Sequence, residues 1–251
     1  MKKSITFFNP RTEADLYVQT NYRILYEEDG FLIVDKPAPL PVHAVGRFKE
    51  KNLLSLLKKD LAPHAGEARI VNRLDSETSG LVMVAKSREA AGKLGALFEN
   101  RRVAKEYRAV VFGVPSPRQG RISIRLGTAI RHSQRVRVPD PGGESAETDY
   151  EVLSDSGDYS LLKIIPYTGR THQIRAHLAF LGHAIAGDKI YIDPRILEQY
   201  FREGWLEEMR AVVKFERLLL HAVRLSFPHP FTREPLTFVS ELPECFMEML
   251  K

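Results

Sequence analysis

The chain has 251 residues, 43% of them hydrophobic and 27% charged, so it can bury a core of its own without disulfide or metal staples; wholesale disorder, collagen-like repeats and coiled coil are excluded. Its single cysteine, Cys245, forms no internal disulfide and supplies no cysteine-rich zinc site, which fits a reducing, cytoplasmic setting. The net charge of +5 is unevenly placed: Arg101 to Pro139 holds ten Lys or Arg against one acidic residue, Glu106, a local excess of +9, and the rest of the chain sums to −4. The start, Met1 to Arg11, has Lys2 and Lys3 but no apolar signal-peptide core, and no apolar run approaches a membrane span.

In chain order, alternating or β-branched runs predict strands at Tyr22–Tyr26 and Phe31–Val34, then a helix at Asn52–Lys59, a strand at Leu81–Ala85 and a helix at Arg88–Asn100. Five strands come next, at Val103–Phe112, Arg121–Leu126, Arg135–Val138, Thr148–Leu153 and Ser160–Pro166, then helices at Thr171–Leu181 and Pro194–Arg210 and a strand at Leu218–Phe227. Consecutive strands without intervening helices point to an α+β architecture and away from a doubly wound sheet. No repeat, low-complexity tract or Gly/Ser linker appears, so a short N-terminal extension, 1–21, and one domain over 22–251 are expected. A nucleotide-binding phosphate loop, a G-x-G-x-x-G turn and a G-x-S-x-G elbow are all missing, and His172 and His177 lack the H-E-x-x-H spacing of a zinc site.

Several places carry two readings each. The basic run Arg101–Pro139 suits a phosphate backbone or is a solvated hairpin. The helix near Thr171 has the core stripe Ile174, His177, Leu178 and Leu181 with Gly182 as its stop, which makes His177 a hydrogen-bonded core histidine. Arg170 and Arg175 flank the helix start, where the helix dipole disfavours cations; each either pairs with a carboxylate or phosphate or snorkels to solvent. Tyr107 alternates with Val103, Ala109 and Val111, as a core tyrosine or as a ring available to stack on a base. The polar loop Val71–Gly80 ends in a strongly apolar strand, and Asp75 within it makes either a local turn or an active-site carboxylate.

The run Asn72-Arg73-Leu74-Asp75-Ser76-Glu77-Thr78-Ser79-Gly80 closely resembles the H-R-L-D-x-x-T-S-G signature of the RluA family of RNA pseudouridine synthases. Asp35-Lys36-Pro37 through Val42-His43 resembles that family's D/N-K-P segment, Lys105 to Gly113 its K-x-Y-x-A-x-V-x-G strand, and Thr168 to Leu178 its T-G-R-T-H-Q-I-R-x-H-L helix; Leu220-His221-Ala222 with His229-Pro230 completes the order. The resemblance implies a mixed, mostly antiparallel central sheet with flanking helices and an active-site cleft. It implies Asp75 as the catalytic aspartate, Tyr107 as the tyrosine that stacks on the target base, Arg175 as the arginine paired with that aspartate, Arg73 as a hold on the flipped nucleotide, and Leu220 as a wall of the uracil pocket. Asn72 stands where the family has histidine and Pro39 where glycine is common, so altered loop packing is expected there.

The activity that the resemblance implies is isomerisation of uridine to pseudouridine in ribosomal or transfer RNA, by a monomer using no metal or other cofactor and no membrane. An appended N-terminal RNA-binding domain is not expected in the roughly twenty residues before the catalytic segment. A carboxylate suits this chemistry as nucleophile or base beside an oxocarbenium-like centre, and a neighbouring arginine keeps it ionised. Two other classes are weighed: an RNA-binding protein that has lost turnover, which would lack Asp75, Tyr107 or Arg175, and a hydrolase that lets water capture the intermediate and releases uracil. All three residues are present.

Overall fold

A computed structural model describes residues 18–44, 48–61, 67–131, 134–192, 212–215 and 217–248. In chain order the elements are β1 (Arg23–Glu27), β2 (Phe31–Lys36), α1 (Leu53–Asp60), β3 (Arg69–Ile70), β4 (Ser79–Ala85), α2 (Arg88–Glu99), β5 (Ala104–Phe112), β6 (Gln119–Ser123), β7 (Leu126–Arg131), β8 (Gln134–Pro139), β9 (Glu147–Asp155), β10 (Tyr159–Pro166), α3 (Gln173–Phe180), β11 (Leu220–Pro228) and β12 (Pro235–Val239). The described chain divides into two units, one built from Val18–Tyr107 and His221–Leu242, the other from Arg108–Leu220 and the segment from Pro243 onward. The helix expected at Pro194–Arg210 lies outside the described residues.

In the first unit β2 pairs with β1 and β4, β3 with β4 and β12 with β11, all antiparallel, while β11 lies parallel to β4 at Ser79–Gly80. Alternate residues serve two cores. Phe31, Ile33, Leu81, Met83 and Ala85 pack with Ala90, Leu94 and Leu97 of α2, and Leu32, Val34, Val82 and Val84 pack with Leu53 and Leu57 of α1. Each such large side chain contributes roughly 1.5–3 kcal/mol relative to exposure. A helix on each face explains why every residue of β4 is buried and why the strand reads as a continuous apolar run. The helices start where cap side chains satisfy free amides: Asn52 Oδ1 accepts from Ser55 N at 3.0 Å, and Ser87 Oγ from Ala90 N at 3.1 Å. Gly80, with φ +106°, is required twice over, because a Cβ there would strike the backbone of Ala222 on β11.

In the second unit β10, β9 and β6 form an antiparallel sheet with β5 beside β10, and β7 and β8 form a separate two-stranded ribbon. The single strand expected over Arg121–Leu126 is broken. Ile124 N turns to Ala146 O and Leu126 N to Glu144 O, so the chain leaves β9 and starts the ribbon. Helix α3 is buried nearly all round, from Gln173 to Leu178, and stops at Gly182 (φ +88°) with His183 N bonded to Leu178 O at 2.9 Å, the glycine stop expected from the sequence. His177 is fully buried, with Nδ1 3.0 Å from Thr148 Oγ1 and Nε2 3.3 Å from Ile124 O; it is the hydrogen-bonded core histidine its stripe position predicts.

Candidate active site

Asp75 sits in a turn between β3 and β4, in the first unit, where Thr78 N closes on Asp75 O at 3.1 Å. A buried ammonium fastens that turn. Lys36, 1% exposed at the end of β2, donates from Nζ to Pro37 O (3.0 Å), Leu40 O (2.8 Å) and Ser76 O (3.1 Å), and Ser76 O also accepts from Leu40 N at 2.8 Å. A buried lysine is tolerated only when its charge is answered, and here three carbonyl dipoles answer it. The carbonyl next to Asp75 is therefore pinned to the Lys36–Leu40 segment.

Asn72 holds the other side of the turn. Its buried side chain accepts from Met83 N at 2.7 Å and donates to Leu81 O at 3.2 Å, while Val71 N bonds Met83 O at 2.9 Å. The amide thus continues the β3–β4 ladder by one rung after the backbone has turned away, which explains how asparagine serves where the related signature has histidine.

Tyr107 is half-buried and packs against the cluster containing Leu40, Val42, Leu74 and Ala222. Burial and then the nearby charge of Asp75 push its phenol well above the ordinary tyrosine range, so the ring is neutral and its hydroxyl protonated. Asp75 and Tyr107 are thus electrostatic neighbours. Lys105, on the same strand face, is pushed down to about 8 by burial. Arg73 is exposed, and its charge adds to burial in holding His43 below the ordinary histidine range.

In the second unit Arg175, 6% exposed, does not snorkel: Nε donates to Asp188 Oδ2 at 2.7 Å and Nη2 to Asp188 Oδ1 at 2.9 Å. Burial alone would raise Asp188, but the Arg175 charge, its hydrogen bonds and the amides of Ile190 and Tyr191 hold it below the usual carboxylate range. Arg170 reaches Glu144 at 2.8 Å, and Gln173 Oε1 takes Arg170 N at 3.0 Å. Leu220 is buried, 3% exposed, at the start of β11.

Part of the basic run is neutralised. Arg121 faces Asp149 across β6 and β9 with bonds of 2.6 and 2.8 Å, Arg118 pairs with Asp155 at 2.8 Å, and Arg137 with Glu144 at 2.5 Å. Arg101, Arg102 and Arg125 are exposed. The sequence motifs contain Lys36 and His43 without marking a task for either, and Asp188 is missed altogether by sequence reasoning; a lone Gly-Asp pair in a turn carries no sign of its partner 13 residues earlier.

The fold has counterparts of one kind. Human RNA Pseudouridylate Synthase Domain Containing 4 superposes with a TM-score of 0.71 at 31% identity, covering 90% of this chain and 91% of that one. Human RNA Pseudouridylate Synthase Domain Containing 1 does so with a TM-score of 0.69 at 27% identity, covering 92% and 86%. The fold is therefore the α+β pseudouridine synthase fold. The RNA pseudouridylate synthase family profile matches residues 30–180. An "Uncharacterized RNA pseudouridine synthase" of Chlorobaculum parvum is 37% identical over 96% of this chain and 76% of its own, and "Ribosomal large subunit pseudouridine synthase D" of Vibrio cholerae is 36% identical over 90% and 69%. The chain belongs to the RNA pseudouridine synthases, in the RluA family, and is an isomerase that forms pseudouridine in RNA.

Proposed function

We propose that this enzyme modifies uridine in large-subunit ribosomal RNA and that Asp75 is its catalytic carboxylate. The observation that carries the assignment is the Asp75 turn, pinned through Ser76 O by the buried Lys36 ammonium, with Tyr107 close enough to feel the carboxylate's charge. The ribosomal substrate is supported by the name of the Vibrio cholerae relative.

The reaction is a net isomerisation: the bond from ribose to uracil nitrogen breaks, the base turns, a bond from ribose to uracil carbon forms, and as that carbon gives up its proton the freed nitrogen gains one. Asp75 acts as nucleophile or base at this centre. Tyr107 stacks on the extruded uracil. Its protonated phenol spares the site a second anion beside Asp75. Arg73, exposed next to the turn, holds the flipped nucleotide by its phosphate, Arg175 serves the reacting nucleotide, and Leu220 lines the base pocket. Base extrusion costs a few kcal/mol, offset by stacking and phosphate contacts. The protein acts as a monomer in the cytoplasm, where Cys245 stays reduced; among the described residues no helix is long and apolar enough to cross a membrane.

The test is nucleotide-resolution mapping of pseudouridine after incubation with unmodified large-subunit ribosomal RNA and transfer RNA transcripts. New pseudouridine in the ribosomal RNA with wild-type protein, and none with Asp75→Asn that still binds that RNA, is the expected result. Modification confined to transfer RNA overturns the substrate, and wild-type turnover by Asp75→Asn overturns the carboxylate assignment.

A further inference from the structure

We propose that Asp188 and Tyr191 are positioning residues for Arg175, holding its guanidinium by edge and by face and tying it to the β7–β8 ribbon. The inference rests on the reading that Arg175 serves the reacting nucleotide, and it adds the means by which that arginine is aimed.

The edge is held by the bidentate pair to Asp188, which is fully buried. Bonding through Nε and Nη2 together fixes the plane of a side chain that otherwise has four soft torsions. Asp188 has a second task. Its Oδ1 also accepts from the amides of Ile190 at 2.8 Å and Tyr191 at 3.0 Å, a local turn that sets the direction of the Tyr191 ring. That ring lies 5.2 Å from Arg175 Cζ, within cation–π range, and so covers the guanidinium face.

The Tyr191 hydroxyl then leaves this cluster. It accepts from Arg137 N on β8 at 2.8 Å and lies 3.1 Å from His172 Nδ1, the residue with φ +53° just before α3. Arg137 is itself fixed by Thr128 Oγ1 (2.7 Å), Leu126 O (2.8 Å) and Glu144 (2.5 Å), and Glu144 also takes Arg170. Carboxylate, arginine, tyrosine and ribbon backbone form one contiguous set of bonds within the second unit. A buried ion pair gives little stability over a well-packed apolar pair, so its presence in a helix otherwise suited to apolar residues points to aim and not to folding energy.

The experiment measures single-turnover pseudouridine formation at saturating large-subunit ribosomal RNA, RNA affinity and the thermal midpoint for wild type, Arg175→Lys, Asp188→Asn, Tyr191→Phe and the Arg175→Lys/Asp188→Asn double variant. Arg175→Lys and Asp188→Asn are each expected to slow the folded protein about 100-fold while RNA affinity stays within about threefold, as misaimed groups do. The double variant is expected to be no slower than either single one, because both remove one shared interaction. Folded Asp188→Asn turning over at the wild-type rate while Arg175→Lys is slow overturns the proposal alone. Unchanged turnover by Arg175→Lys instead overturns the reading of Arg175, and the proposal with it. If Asp188→Asn does not fold, Tyr191→Phe decides: it leaves the ion pair and ring in place and removes the hydroxyl's bonds to Arg137 N and His172, so about tenfold slowing supports the tie to the β7–β8 ribbon, and the wild-type rate overturns it.

Discussion

Lys36 shows how far a single side chain governs this site. Its ammonium is buried against three carbonyls, one of them Ser76 O beside Asp75. Lys36→Met keeps the apolar stem and strips the donor, leaving those acceptors without it in a dry place, at a cost of about 3 kcal/mol by urea denaturation. The loosened Asp75 turn is expected to lower turnover more than RNA affinity; a variant as stable and as active as wild type contradicts this role for Lys36. In a sequence a lysine reads as solvated, and only the fold-back of Pro37–Leu40 onto the Asp75 turn removes this one from water. Asp188 is hidden for the same reason, since its partner is set by tertiary contact. Asp75 and Tyr107 are legible because each lies within a contiguous motif, and the fold brings the two within electrostatic reach.

Among the elements, β2, β4, β5, β8 to β11 and the three described helices follow the sequence periodicity within a residue or two at most ends, because each has one or two well-defined apolar faces. The misses have separate causes. β6 and β7 read as one strand because the change of partner at Ile124–Leu126 is made by distant residues, Glu144 and Ala146. β3 has only two residues, and β12 begins at Pro235, which suits the first position of an edge strand but argues against a strand in sequence. The β3–β4 join also explains how the chain departs from the related signature without losing the turn. Asn72→Ala removes both bonds to β4 and is expected to lower stability by about 1–2 kcal/mol in chemical denaturation, with activity falling alongside; Asn72→Ala indistinguishable from wild type in both measurements would refute the extra rung.

Across the whole molecule, buried titratable groups set the acid limit. His177, lowered mainly by burial, and His43, lowered by burial and Arg73, are both held below the ordinary histidine range. In the unfolded chain they take up protons near pH 6.5, and in the folded chain only at lower pH, so the unfolded state binds more protons between the two. Stability from this source is full above about pH 6.5 and is lost as pH falls through the folded values. Asp188, also depressed, adds a further loss only below the normal aspartate range. The thermal midpoint is expected to drop from about pH 7 to about pH 5, and to drop less in His177→Gln; equal slopes for the two proteins would discard His177 as a source.

The connectivity bears on how the enzyme is made. The unit that carries Asp75 and Tyr107 is assembled from two stretches, Val18–Tyr107 and His221–Leu242, and β11 lies against β4 at Ser79–Gly80, immediately after the Asp75 turn. A ribosome emits these stretches more than a hundred residues apart. The nascent chain therefore carries the Asp75 segment through more than a hundred further residues with β4 paired to β2 at Gly80 but without β11 on its other edge, an open strand edge of the kind chaperones guard. The unit is complete only when the returning strand closes over Gly80.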